Sequence, residues 1–142
     1  MRYICALLVA LLMTSAADAR MVGGKSLFMR LGGKPAIRAV VEDFVGNVAM
    51  DSRINGYFAK TNLPRLRRLL VEQICAGSGG PCKYTGRSMK VTHRGLGIRG
   101  SDFAALVEDL TMSLNKFGVP AREQGELLAI LGPMRKDIVS RK

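Results

Sequence analysis

"GGPCKYTGRSMKVTHRGLGI", residues 79–98, holds the only histidine of a 142-residue chain that carries 22 lysines and arginines. Met89 and His93 stand four apart, which puts them on one face of a short helix that Gly95 and Gly97 bring to a stop. A lone imidazole among apolar neighbours is more often a hydrogen-bonded core side chain than a ligand. Acid–base or nucleophilic catalysis finds no support around it: neither Cys75 nor Cys82 sits in a nucleophile motif, no serine occupies a G-x-S-x-G elbow, and no carboxylate pair has an obvious partner. One task remains open to an isolated imidazole. It can hold a haem iron, because the porphyrin supplies the other four nitrogens.

The flanking sequence is helical on both sides. Ile37, Val40, Val41, Phe44, Val45 and Val48 follow the i, i+3, i+4, i+7 pattern of one helix face, opened by Pro35 in its first turn. Leu66, Leu70 and Ile74 form a stripe on a second helix from Leu63 to about Ala76, with Thr61 or Asn62 as N-cap. "GSGGPCKYTG" then breaks the pattern as a loop. Beyond the histidine, a helix over 102–117 capped by Ser101 is expected to bury Phe103, Leu106, Val107, Leu110, Leu114 and Phe117. A further helix from near Pro120 carries Leu127, Leu128, Leu131, Met134 and Ile138, and a short one over 26–31 ends at Gly32-Gly33. No block alternates like a half-buried strand, so the spacing predicts an all-α domain.

"MRYICALLVALLMTSAADA", residues 1–19, runs from a basic start through a short apolar stretch to an A-x-A-like end, the pattern of a secretory signal peptide. The mature chain is therefore expected to be exported, with residues 20–25 as a linker and 26–140 as one domain; no later run is long enough to span a membrane. Losing Arg2 and Asp18 removes one charge of each sign and leaves the formal net charge at +11. The basic residues are spread along the chain without interleaved aromatics, so nucleic acid is not an expected partner. In an oxidising compartment Cys75 and Cys82 are a disulfide candidate, with two separate thiols as the alternative. One histidine and two thiols do not make a closed zinc set.

"SLFMRLGGKPAIRAVVEDF", "INGYFAKTNLPRL", the 79–98 stretch and "FGVPAREQGELLAILGPMRKDIV" together resemble the group 1 truncated haemoglobins, over about Ser26 to Val139. The resemblance implies a two-over-two helical globin fold and a haem held by His93 as proximal ligand, with Nδ1–H donating to a backbone carbonyl. It also places Met89, Phe58, Phe44, Leu66, Tyr84 and Phe103 against the haem. A propionate would meet one of Arg65, Arg67, Arg68 or Lys90, or Thr61 or Asn62 at the start of the distal helix. Without a C-x-x-C-H motif the group would be non-covalent haem b.

The chain departs from many members of that family where a gas ligand would lie. Val45 stands where a tyrosine follows the phenylalanine of "VVEDF", and Leu70 where the distal helix carries a glutamine; with Leu66 they make the distal side apolar. The function implied is reversible binding of a diatomic gas, oxygen and also nitric oxide or carbon monoxide, without catalysis. Oxygen transport, nitric oxide scavenging, gas sensing and haem carriage all use that chemistry, and dioxygenase or peroxidase-like turnover would add a reductase as partner. The competing reading is a small basic exported helical domain that binds an anionic partner without haem.

Overall fold

The computed structural model describes residues 21–141, so the signal peptide expected over residues 1–19 lies outside the described residues. Residues expected to be a linker instead make a two-stranded antiparallel hairpin, β1 (Met21–Val22) and β2 (Lys25–Ser26). The helices are α1 (Leu27–Arg30), α2 (Gly33–Met50), α3 (Leu63–Gly77), α4 (Met89–His93), α5 (Gly100–Lys116), α6 (Ala121–Leu131) and α7 (Arg135–Ile138). Short 3₁₀ turns at Asn55–Phe58 and Gly132–Met134 join them. Among the described residues no helix is long and apolar enough to cross a membrane.

α2 is the central element, packed on α3 and α5, and all six residues of its predicted stripe are buried. With Leu27, Val71, Ile74, Leu110, Leu114 and Leu127 they form one continuous core, and deleting a single such side chain to alanine costs about 2–5 kcal/mol. A polar lock crosses the same interface. The Asn47 amide donates to the Ser113 hydroxyl at 2.9 Å and Ser113 donates to Asp43 at 2.8 Å, while Lys116 pairs with the other Asp43 oxygen. Ser113 is fully buried, so satisfying its hydroxyl fixes the α2–α5 register rather than adding much net stability. At the opposite end Arg30 reaches Glu123 at 2.7 Å and also Glu126, tying α1 to α6.

Two helix ends differ from expectation. Asn62, not Thr61, caps α3, its side chain accepting from Arg65 N–H at 2.9 Å. α5 begins two residues early, and Ser101 lies inside its first turn instead of capping it. Asp102 supplies the cap, accepting from Arg99 N–H at 2.9 Å, because the carboxylate at the third helical position also takes the Tyr57 hydroxyl at 2.8 Å. These donors hold the Asp102 carboxyl down at about 2, the Arg99 backbone N–H contributing most, and the same contact raises the Tyr57 phenol. Phe117, expected inside, is 47% exposed at the end of α5.

Asp109 on α5 is buried, and its Oδ2 has no hydrogen-bond partner. Burial, then the negative charge of Asp51, pushes its carboxyl up to about 6. Below the unfolded value of 3.8 the group is neutral in both states. Above about 6 it is charged in both, and the folded state carries the desolvation cost. Asp109→Asn is therefore expected to raise the melting temperature at pH 7.5, with the gain fading as the pH falls from 6 towards 4. Differential scanning calorimetry across that range checks it, and an equal gain at all pH values would contradict the titration.

Candidate functional site

α2, α3, α4 and α5 do not close on one another completely. Between them lies a cavity of about 680 Å³, within the size range of small-molecule and cofactor sites. Its walls come from Phe44 and Val48 of α2, Leu66, Leu69 and Leu70 of α3, Phe103, Leu106 and Leu110 of α5, and Leu128 and Leu131 of α6. Phe58 and Tyr57 enter from the 3₁₀ turn before α3, and Met134 and Ile138 from the C-terminal turns. Leu106 and Val107, expected to be fully buried, are half-buried because they face this space.

His93 lines the cavity from the last residue of α4. Its Nδ1 lies 2.8 Å from the Met89 carbonyl oxygen, one helical turn back. A carbonyl only accepts, so Nδ1 carries a proton; in the neutral ring this leaves the lone pair on Nε2, the tautomer a metal-bound imidazole requires. α4 has only five residues and needs help to persist. Ser88 caps it, accepting from Val91 N–H at 3.3 Å, and Gly95 and Gly97 leave it in left-handed conformations at φ +78° and +67°.

A disulfide between Cys75 and Cys82 ties the end of α3 to the loop that precedes α4. That loop carries Tyr84 and Arg87 into the cavity wall. The Tyr84 hydroxyl donates to the Arg87 carbonyl at 2.7 Å, and Gly86 lies so close under the ring that a Cβ there would collide with it. Burial and the Glu72 carboxylate raise the Tyr84 phenol, while Arg65 and Arg87 act the other way.

The polar lining is exposed and marks the mouth: Thr61, Asn62, Arg65, Arg87 and Thr92. Of the basic residues considered for this place, only Arg65 lines the cavity. Arg67 pairs with Glu42 at 3.0 Å and Arg68 with Glu72 at 2.7 Å, and Lys90 is not in the wall. Arg87 and Thr92 join the mouth without having been singled out from the sequence; the loop that brings Arg87 there is tied to α3 by the bridge to Cys75 and by Thr85, whose N–H and hydroxyl donate to Glu72.

Val45 is 2% exposed and packs in the core, outside the residues that line the cavity. Phe44 and Val48, one turn apart, share the stripe that faces it, and Val45 is rotated about 100° from Phe44. Other polar groups in the wall are engaged. Tyr57 donates to Asp102, and the Gln73 amide lies 3.5 Å from the Met89 sulfur and 3.3 Å from the Met134 sulfur.

The residues fit a haem: an imidazole with a free Nε2, apolar walls of suitable extent, and cations and hydroxyl or amide groups at the mouth for carboxylates. Among the described residues no cluster of three His, Cys, Asp or Glu side chains could hold a bare metal ion. Helical architecture and cavity together define a two-over-two globin.

Residues 26–140 match the family model described as bacterial-like globin. A group 1 truncated hemoglobin of Mycolicibacterium paratuberculosis is 36% identical over 115 residues, covering 81% of this chain and 85% of that protein. One from Synechocystis is 33% identical over 111 residues, covering 75% and 90%. Crystal structures of the Tetrahymena pyriformis truncated hemoglobin in its Fe(III) form and of the Synechococcus 2/2 hemoglobin with covalently attached heme superpose with TM-scores of 0.78 and 0.77. Their identities are 27% and 29%; each comparison covers at least 81% of this chain and 98% of the other. This chain belongs to the bacterial-like globin family, and its homologues are group 1 truncated haemoglobins.

Alkylation of the native protein is expected to modify neither Cys75 nor Cys82, and both after reduction. Intact mass before and after reductant should differ by two hydrogens; two reactive thiols without reductant would contradict the bridge.

Proposed function

We propose that His93 would hold a haem iron through Nε2 and that the protein reversibly binds a diatomic gas at that iron. The observation that carries this is the 2.8 Å contact of Nδ1 with the Met89 carbonyl inside a cavity of about 680 Å³. The iron would supply an open coordination position for the gas. The chain's own groups do the rest. Met89 fixes the ring, Phe44, Phe58, Leu66 and Phe103 enclose the macrocycle, and Arg65 and Arg87 offer guanidinium groups to its carboxylates at the mouth. No C-x-x-C-H motif is present, which favours non-covalent haem b. The leader-like sequence of residues 1–19 and the Cys75–Cys82 bridge both favour an exported protein. Family membership sets aside a haem-free basic module.

The purified protein should show an intense Soret band that His93→Gly abolishes and added imidazole restores. A colourless chain that takes up no haemin would overturn the proposal. Acidic organic solvent should extract the haem completely, leaving an unmodified polypeptide mass.

The gas would meet Leu66 and Leu70 rather than a hydrogen-bond donor. A hydrogen bond to polarised oxygen is worth about 1.5–3 kcal/mol, or about one to two decades in dissociation. Oxygen should therefore leave quickly, and Leu70→Gln is expected to slow release by about ten- to a hundredfold in stopped-flow traces, with a smaller effect on carbon monoxide. Slow release from the unmodified protein would show that Tyr57 or Gln73 leaves its present partner to serve the ligand.

A further inference from the structure

Between Glu72 and Asp102 the chain has no carboxylate, but it carries Lys83, Arg87, Lys90, Arg94 and Arg99. This stretch contains α4 and lies over the cavity mouth. Arg30, Arg53, Arg67, Arg68, Arg99, Lys116 and Arg122 each reach a carboxylate. Of the cations in this stretch, Lys83, Arg87, Lys90 and Arg94 do not. α7, packed on α4, adds Arg135 and Lys136 along with the single carboxylate of Asp137.

The face is not purely ionic. Val91 is 44% exposed and Leu96 is 43% exposed, and Leu96 also lines the cavity. Lys90 and Arg94 stand one turn apart, on either side of Val91 in sequence, while His93 turns inwards from the same short helix. Apolar side chains flanked by unmatched cations suit a folded partner with an acidic rim and a small apolar centre. Two exposed apolar residues are too few to seat a five-residue helix in a bilayer, and a nucleic acid would gain nothing from them. A partner placed here would touch the mouth through Arg87, Thr92 and Leu96, within reach of the cofactor edge.

We propose that the α4 face, with Val91 and Leu96 flanked by Lys90 and Arg94, docks a small acidic electron-transfer protein that reduces the haem iron. This rests on the haem reading above. The donor gives one electron and is oxidised; the iron passes from ferric to ferrous, and no atoms are transferred. Such encounters are small, charge-steered and weakened by salt.

The probe is reduced plant-type ferredoxin, a small acidic donor at about −400 mV. Its oxidised form, immobilised on a sensor, reads binding, and stopped-flow absorbance reads reduction of the ferric protein. Raising salt from about 20 to 300 mM should slow reduction at least about tenfold. Lys90→Glu/Arg94→Glu should weaken both binding and reduction by about tenfold or more at low salt, with the Soret band unchanged. The milder Lys90→Gln/Arg94→Gln pair repeats the test without charge reversal. Reduction by photoreduced lumiflavin, too small to need docking, should be unaffected. Lys25→Glu/Lys34→Glu, the same charge change on β2 and the start of α2, should cost less than about threefold. Equal losses in both charge-reversal variants, wild-type behaviour of the α4 variants, or Lys90- and Arg94-dependent pelleting with phosphatidylglycerol vesicles in place of ferredoxin binding would overturn the docking site. A missing Soret band would overturn the haem reading and electron delivery with it, while the sensor would still report whether α4 binds the acidic protein.

Discussion

The bond between the His93 ring and the Met89 carbonyl is the contact on which the rest of the site depends. It selects one tautomer and aims one ring nitrogen, and it does so inside a helix of five residues that has no independent stability. The surrounding structure supplies what α4 lacks. Ser88 caps it, the disulfide anchors the loop before it, and α7 packs beside it, while Ser140 N–H donates to the Ile98 carbonyl at 3.0 Å just beyond. A coordinating side chain held this way loses little entropy on binding, which is the physical meaning of a preformed site.

Core and cavity are one surface in this fold. Ile74 and Phe44 belong to the buried cluster and also face the cavity, so the stripes that hold α2, α3 and α5 together are the stripes that would enclose a macrocycle. The consequence for substitution is direct. Phe44→Ala or Ile74→Ala acts on stability and on cofactor retention at once, and the two effects separate only when spectra and unfolding are measured together. Asn47 stands apart from this coupling, because its bonds fix the α2–α5 register away from the apolar wall.

Charge is distributed as unevenly as polarity. Acids are spent in pairs along α2, α3, α5 and α6, while the stretch leading through α4 has none. An acid-free run of cations beside the cavity mouth is the arrangement that raises encounter rates with an anionic partner more than it raises final affinity.

The sequence by itself determined the helices of the core, because a 3.6-residue repeat of apolar side chains is a local pattern that α2 and α3 carry in full. The lone histidine was also legible, and Cys75 with Cys82 as a disulfide candidate, while the carbonyl that holds the ring, that of Met89, was identified only by the structure. Tertiary structure decided the rest. Whether Val45 or Phe44 faces the cavity turns on a rotation of α2 that periodicity over its six-residue face leaves open, and packing against α3 and α5 fixes it. Arg65 reaches the mouth while Arg67 and Arg68 are drawn to Glu42 and Glu72, partners set by helix packing and by a loop. Ser101 loses the cap of α5 to Asp102 because Tyr57, 45 residues earlier, rewards the longer helix with a second bond. Local spacing cannot encode such choices, since each compares contacts between residues that only folding brings together.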